Sequence, residues 1–161
     1  MRYRLGTFLG AVPLALATRL ATAQVAPPER SVHVFDLAAD GVQIYACQTR
    51  EGGPGWVFQG PEAVLFDGTG RQVGTHGAGP HWIVGGERVT AAVVSNAPAP
   101  AAGAIPWLLL RVTPSTSAGN QRGYSFIRRF DTVGGTAPAG ACTPGDVARM
   151  RYSASYGFYT P

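Results

Sequence analysis

The chain has 161 residues, enough for one domain. It contains no lysine, which excludes Schiff-base, lysine-base and P-loop mechanisms. Its formal charge of +4 comes from 13 arginines against 9 acidic residues, and Arg2, Arg4 and Arg19 crowd the N-terminus.

Arg2 and Arg4 precede an apolar run, Leu5 to Leu16, that Pro13 interrupts. A bilayer span needs about 20 apolar residues, whereas a signal peptide's apolar region has about 7–15. Ala21-Thr22-Ala23 then supplies the small residues of a signal-peptidase site. Residues 1–23 therefore read as a cleavable signal peptide, and the protein as exported, periplasmic or extracellular. No cysteine lies near the cleavage point to take a lipid. Losing Arg2, Arg4 and Arg19 leaves ten arginines against nine acids, a charge of +1. The sequence pI of about 9.5 thus says little about partners. The basic pairs Arg128-Arg129 and Arg149/Arg151 are too small for a phosphate-tracking stripe and read as solvated strand faces. No nucleic acid is expected as a partner, and no transmembrane segment in the mature chain.

Residues 24–40, with Pro27-Pro28, read as an extended leader, and 41–161 as a single β domain. Within it, short β-prone runs are cut by Gly, Pro and Asp. Gly41 to Cys47 is a strand candidate, Glu51 to Gly55 a turn, and Trp56-Val57-Phe58 a short strand. Ala63 to Phe66 and Arg71 to Gly74 flank Asp67-Gly68-Thr69-Gly70, a hairpin signal because Asp and Gly tolerate φ > 0. Trp82 to Val84, Gly85-Gly86 and Arg88 to Val94 repeat the pattern. Asn96 to Gly103 is a Pro/Ala loop, Ile105 to Val112 a central strand, and Ser115 to Asn120 a polar turn. Tyr124 to Phe130 alternates, with Tyr124, Phe126 and Phe130 assigned to one face. Asp146 to Arg149 suits one helical turn. In the last run, Met150, Tyr152, Ala154, Tyr156 and Phe158 alternate with Arg151, Ser153, Ser155 and Gly157, the period-two pattern of a half-buried strand. No segment holds a helical period. The fold class is all-β: an antiparallel sandwich or barrel of about seven to eight short strands.

Cys47 and Cys142 are the only cysteines. In an oxidising compartment one such pair reads as a disulfide, with two buried free thiols as the alternative.

The most unusual stretch is His76-Gly77-Ala78-Gly79-Pro80-His81-Trp82. Two imidazoles on a Gly-rich loop, with Asp67 or Asp131 as a third group, would suit metal or acid–base chemistry. No third ligand stands at a diagnostic spacing, so neither a metal nor a cofactor is expected. No G-x-S-x-G elbow and no dinucleotide fingerprint is present. The tryptophans and tyrosines offer stacking surfaces, although Trp56 and Trp107 lie in apolar runs and read as core.

Taken together, Ile44-Tyr45-Ala46-Cys47, Gly60-Pro61-Glu62-Ala63, Gly74-Thr75-His76, Gly79-Pro80-His81-Trp82, Ile105-Pro106-Trp107, Ile127-Arg128-Arg129, Thr132-Val133-Gly134-Gly135 and Tyr152 to Tyr159 resemble the domain-of-unknown-function 3455 family of secreted bacterial and fungal proteins. The resemblance implies an exported globular domain with Cys47 and Cys142 as its cysteine pair, and it implies no activity. His76 matches the family pattern and His81 departs from it, which weakens a two-histidine site. The expected ligand-binding residues are His76, Trp82, Arg128 and Thr132, at a cleft between two polar motifs. The expected role is non-enzymatic, either binding a small molecule or a surface glycan or serving the envelope. The alternative is a secreted hydrolase or metal-dependent enzyme centred on His76 with Asp67 or Asp131.

Overall fold

Period-two patterning dictates strands, and Gly- and Pro-rich breaks dictate where they reverse. The computed structural model describes residues 24–114 and 120–161. The expected signal peptide, and residues 115–119 of the expected polar turn, lie outside the described residues. The strands are β1 (Val32–Arg50), β2 (Gly53–Phe66), β3 (Gln72–Gly77), β4 (His81–Val84), β5 (Glu87–Ala97), β6 (Trp107–Val112), β7 (Phe126–Gly134) and β8 (Val147–Thr160). Each pairs antiparallel with the next, and β8 returns to β1, giving a closed eight-stranded barrel. Closure decides between the two all-β forms in favour of the barrel, and it gives each described strand a neighbour on both sides.

The register defines the inner wall, because cross-strand partners share a face. Gly41, Ala63, His76, Trp82 and Val89 are successive partners from β1 to β5. Leu108, Arg129, Tyr156 and Leu37 form a matching row from β6 back to β1. Leu37, Leu65, Val84, Val89, Leu110, Tyr124, Ile127 and Phe158 pack one part of the lumen. Outside, Arg149 pairs with Glu62 and Arg151 with Asp40. Apolar side chains within and charges without reverse the pattern of a barrel embedded in lipid. Among the described residues no helix is long and apolar enough to cross a membrane.

A second, smaller core lies on the outer surface of β5–β7. Trp107, Leu109 and Phe126 point outward there and are covered by Ala97 and by Val25, which is fully buried. Ser95 Oγ donates to the Gln24 carbonyl at 3.0 Å beside it. Phe126, Arg128 and Phe130 do share a face, but it is the outer one, and Tyr124 belongs to the lumen.

Other boundaries differ from the sequence reading for local reasons. β1 begins at Val32, because Phe35, Leu37 and Ala39 already alternate inward within the stretch read as leader. The Trp56 and Ala63 runs are one strand, β2, bent at a bulge opposite Ile44/Tyr45. Gly60 sits at that bulge with φ 151°, and a Cβ there would lie 2.5 Å from the Ala78 Cβ. The Asp146–Arg149 segment is not helical. Asp146 accepts from the Thr143 backbone N–H at 2.9 Å in a turn, and β8 starts at the next residue. The Asp67 turn is a hairpin as expected: Asp67 Oδ1 accepts from the Thr69 hydroxyl at 2.6 Å and from the Thr69 and Arg71 backbone N–H groups.

Candidate ligand cavity

The turns after β1 and β3 and the loops after β5 and β7 gather at one end of the barrel. The Cys47–Cys142 disulfide lies there, joining β1 to the β7–β8 loop. At this end the lumen is not filled. It holds a cavity of about 280 Å³, just below the usual range of small-molecule sites, roughly 300–1,000 Å³. Its apolar walls are Ile105, Pro106, Leu108 and Leu110, with Phe58 and Val93 as exposed apolar residues at the rim. The polar side chains that line it are Gln43, Tyr45, His76, Trp82, Arg129 and Tyr156.

The segment read as a Gly-rich loop is the β3–β4 hairpin. His76 and Trp82 are cross-strand partners on the inner face, and their rings stack at 4.5 Å and 15°. His81 is the partner of Gly77, so its ring leaves the hairpin on the other face, where Nδ1 bonds the Ala78 carbonyl at 2.8 Å. The two imidazoles do not converge. Among the described residues no three His, Cys, Asp or Glu side chains are grouped to hold a metal.

His76 Nδ1 lies 2.8 Å from the His81 carbonyl. A carbonyl only accepts, so Nδ1 carries the proton. Burial pushes the His76 pKa down to about 4; the charges of Arg129 and His81 push the same way, and the bond to the His81 carbonyl opposes them. The ring is therefore neutral at pH 7, with its lone pair on Nε2. Tyr156 faces it from β8 across the lumen, 4.9 Å from His76 and 5.4 Å from Trp82.

Arg129 reaches the cavity from β7 as the cross-strand partner of Leu108 and Tyr156. Its Nε and Nη2 both donate to the Pro106 carbonyl, at 3.0 and 2.8 Å. Its charge opposes the burial that raises the pKa of Tyr45, Tyr152 and Tyr156. Tyr45 donates to the Gly135 carbonyl at 2.8 Å, which ties β1 to the β7–β8 loop. Gln43 Nε2, Trp82 Nε1 and the Tyr156 hydroxyl are buried and without a hydrogen-bond partner.

Of the four residues expected at a site, His76 and Trp82 meet in this cavity. Arg128 lies on the outer face over the rings of Trp107 and Phe130, at 5.6 and 4.8 Å. Thr132 is buried in the wall, its hydroxyl donating to the Ile105 carbonyl at 2.6 Å. Asp67 is held at the opposite end by Thr69 and Arg71, and Asp131 sits exposed in a β7 bulge at φ 49°. Sequence reasoning missed Arg129, Gln43, Tyr45 and Tyr156 as lining groups. Parity within each strand carries the signal: Arg129 follows Ile127 by two, and Gln43 lies between Gly41 and Tyr45 on one face.

The neutral buried imidazole makes stability depend on pH. The unfolded histidine, at its ordinary value of 6.5, takes up a proton that folded His76 resists down to about 4. Its contribution is whole above about pH 6.5 and is lost as pH falls through about 4. The expected loss is about 3 kcal/mol between pH 7 and pH 4. Urea unfolding should show it, and His76→Gln should flatten that window. Asp67, lowered to about 2 chiefly by the Thr69 hydroxyl, titrates below it.

No curated protein and no solved structure matches the chain. Residues 27–160 match the family described as Protein of unknown function (DUF3455). That span takes in every strand of the barrel, both cysteines and all the residues of the cavity, and the chain belongs to this family.

Proposed function

We propose that the protein is an exported binding domain that takes a small, largely apolar molecule into the open end of its barrel. The observation that carries this is the half-filled lumen: one part holds a cluster of buried apolar side chains, and the other is an apolar-walled cavity containing buried donors with no protein partner. Eight-stranded barrels have just enough interior to fill with side chains or to hold one small ligand. Exposed Phe58 and Val93 at the rim extend the apolar path to solvent. The lining contains no Ser, Thr, Cys, Asp or Glu, so it offers neither an aliphatic hydroxyl or thiol nucleophile nor a carboxylate base. This favours binding over a hydrolase centred on His76. A cavity that ends inside the barrel also suits a small molecule better than a surface glycan. Export rests on the signal-like residues 1–23, and the disulfide is consistent with it.

Calorimetric titration with naphthalene-ring probes, 2-naphthamide and 2-naphthoate, should give saturable one-to-one binding. Val93→Trp, which places a large ring at the rim, should abolish it while leaving the melting temperature unchanged. Absence of binding by both probes, or binding unaffected by Val93→Trp, would refute the reading.

A further inference from the structure

Resting on the reading of this cavity as a binding site, we infer that its ligand is a monocarboxylate built on a compact ring, with Arg129 as the carboxylate anchor.

The charge balance points this way. An arginine keeps its charge, and Arg129 donates through Nε and Nη2 to a backbone carbonyl, with Tyr156 as its cross-strand neighbour. The ion pairs of the described residues place the carboxylates of Asp36, Asp40, Glu62, Asp67 and Glu87 with other partners. The cavity lining has no acidic residue at all. Arg129 is partly exposed at the cavity, and a guanidinium with no carboxylate beside it can pair with the carboxylate of an anionic ligand.

The hydrogen-bond balance is an independent argument. Gln43, Trp82 and Tyr156 are at most 2% exposed, yet Gln43 Nε2, Trp82 Nε1 and the Tyr156 hydroxyl have no partner. All three can donate, and buried donors left unpaired cost free energy. Four donor groups from β1, β4, β7 and β8 thus line one space, and a carboxylate offers about four lone-pair sites. His76 Nε2 is the one acceptor nitrogen in the lining and suits a hydroxyl on the ligand ring.

Volume limits the size. A cavity of about 150 Å³ holds one benzene, so about 280 Å³ admits roughly twice that, on the order of a dozen non-hydrogen atoms. Long-chain fatty acids exceed it.

The test compares two isosteric probes, 2-naphthoate and neutral 2-naphthamide, on the full mature chain by calorimetry. The carboxylate should bind about tenfold to a hundredfold tighter, the value of a charge-assisted bond to a buried partner. Arg129→Gln should erase that preference, bringing the two affinities together, while Arg129→Lys should retain part of it. Equal affinities in the wild type, or a preference that survives Arg129→Gln, would overturn the carboxylate assignment and leave the cavity as a binding site. Silence with both probes would overturn the binding reading as well. Should the variants fail to fold, the wild-type Arg129 side-chain Nε–H resonance decides. It should shift on addition of naphthoate and not of the amide, and a resonance unmoved by naphthoate counts against the inference.

Discussion

Reducing the Cys47–Cys142 bond, or replacing both residues with alanine, is expected to lower stability by about 4–5 kcal/mol. The two positions are 95 residues apart, so the bond removes a large share of the unfolded chain's freedom. Against the roughly 5–15 kcal/mol typical of a small domain, that loss brings the protein close to unfolding at ordinary temperature. The native side offers little to replace it. The β7–β8 loop is held to β1 by the Cys47 N–H donating to the Asp146 carbonyl, the Gly145 N–H donating to the Cys47 carbonyl, and the Tyr45 hydroxyl on Gly135. Urea unfolding with and without a phosphine reductant measures the difference, and a free-thiol assay on unreduced, unfolded mature protein should read near zero. A change below about 1 kcal/mol would mean that the unfolded chain is already held compact without the bond.

Phe158→Ala is expected to cost about 3–5 kcal/mol. Phe158 is fully buried at the packed end of the lumen, with Phe35 at 4.9 Å, Tyr124 at 5.3 Å and Trp82 at 6.4 Å. Those rings come from different strands, with Tyr124 just ahead of β7, so no single segment can close over the void that truncation leaves. Val147→Ala, at a position 64% exposed on the same strand, should change stability by no more than about 0.5 kcal/mol. Denaturant midpoints for the two variants test the contrast. If Phe158→Ala behaves like Val147→Ala, the aromatic cluster around Phe158 is not packed as described.

The strands were legible wherever patterning and turn chemistry agreed. β8 announces itself through Met150 to Phe158, and the Asp67-Gly68 and Gly85-Gly86 turns mark two hairpins because their residues tolerate the conformations that reversal requires. Closure into a barrel was not legible, since it depends on β1 meeting β8, and periodicity within either strand is silent on partners. The start of β1 was obscured by Pro27-Pro28, which drew the following residues into an apparent leader. The site was half legible. His76 and Trp82 stood out by composition, but Arg128 and Arg129 look alike until the strand's parity is known. One register step separates a cation facing the cavity from one stacked on outward aromatic rings.

The pairing of β1 with β8 also governs the order in which the molecule can assemble. Val32 meets Thr160 and Ala46 meets Val147, so the longest ladder in the barrel joins the two ends of the domain. Six of the seven hairpin-like pairings between consecutive strands can begin before β8 is available, but the cylinder cannot shut until the final residues arrive. Contacts so distant along the chain slow folding, because their loop entropy is lost before they reward it. The seam is therefore the last element to form, and a chain still being synthesised remains open along it until β8 is complete.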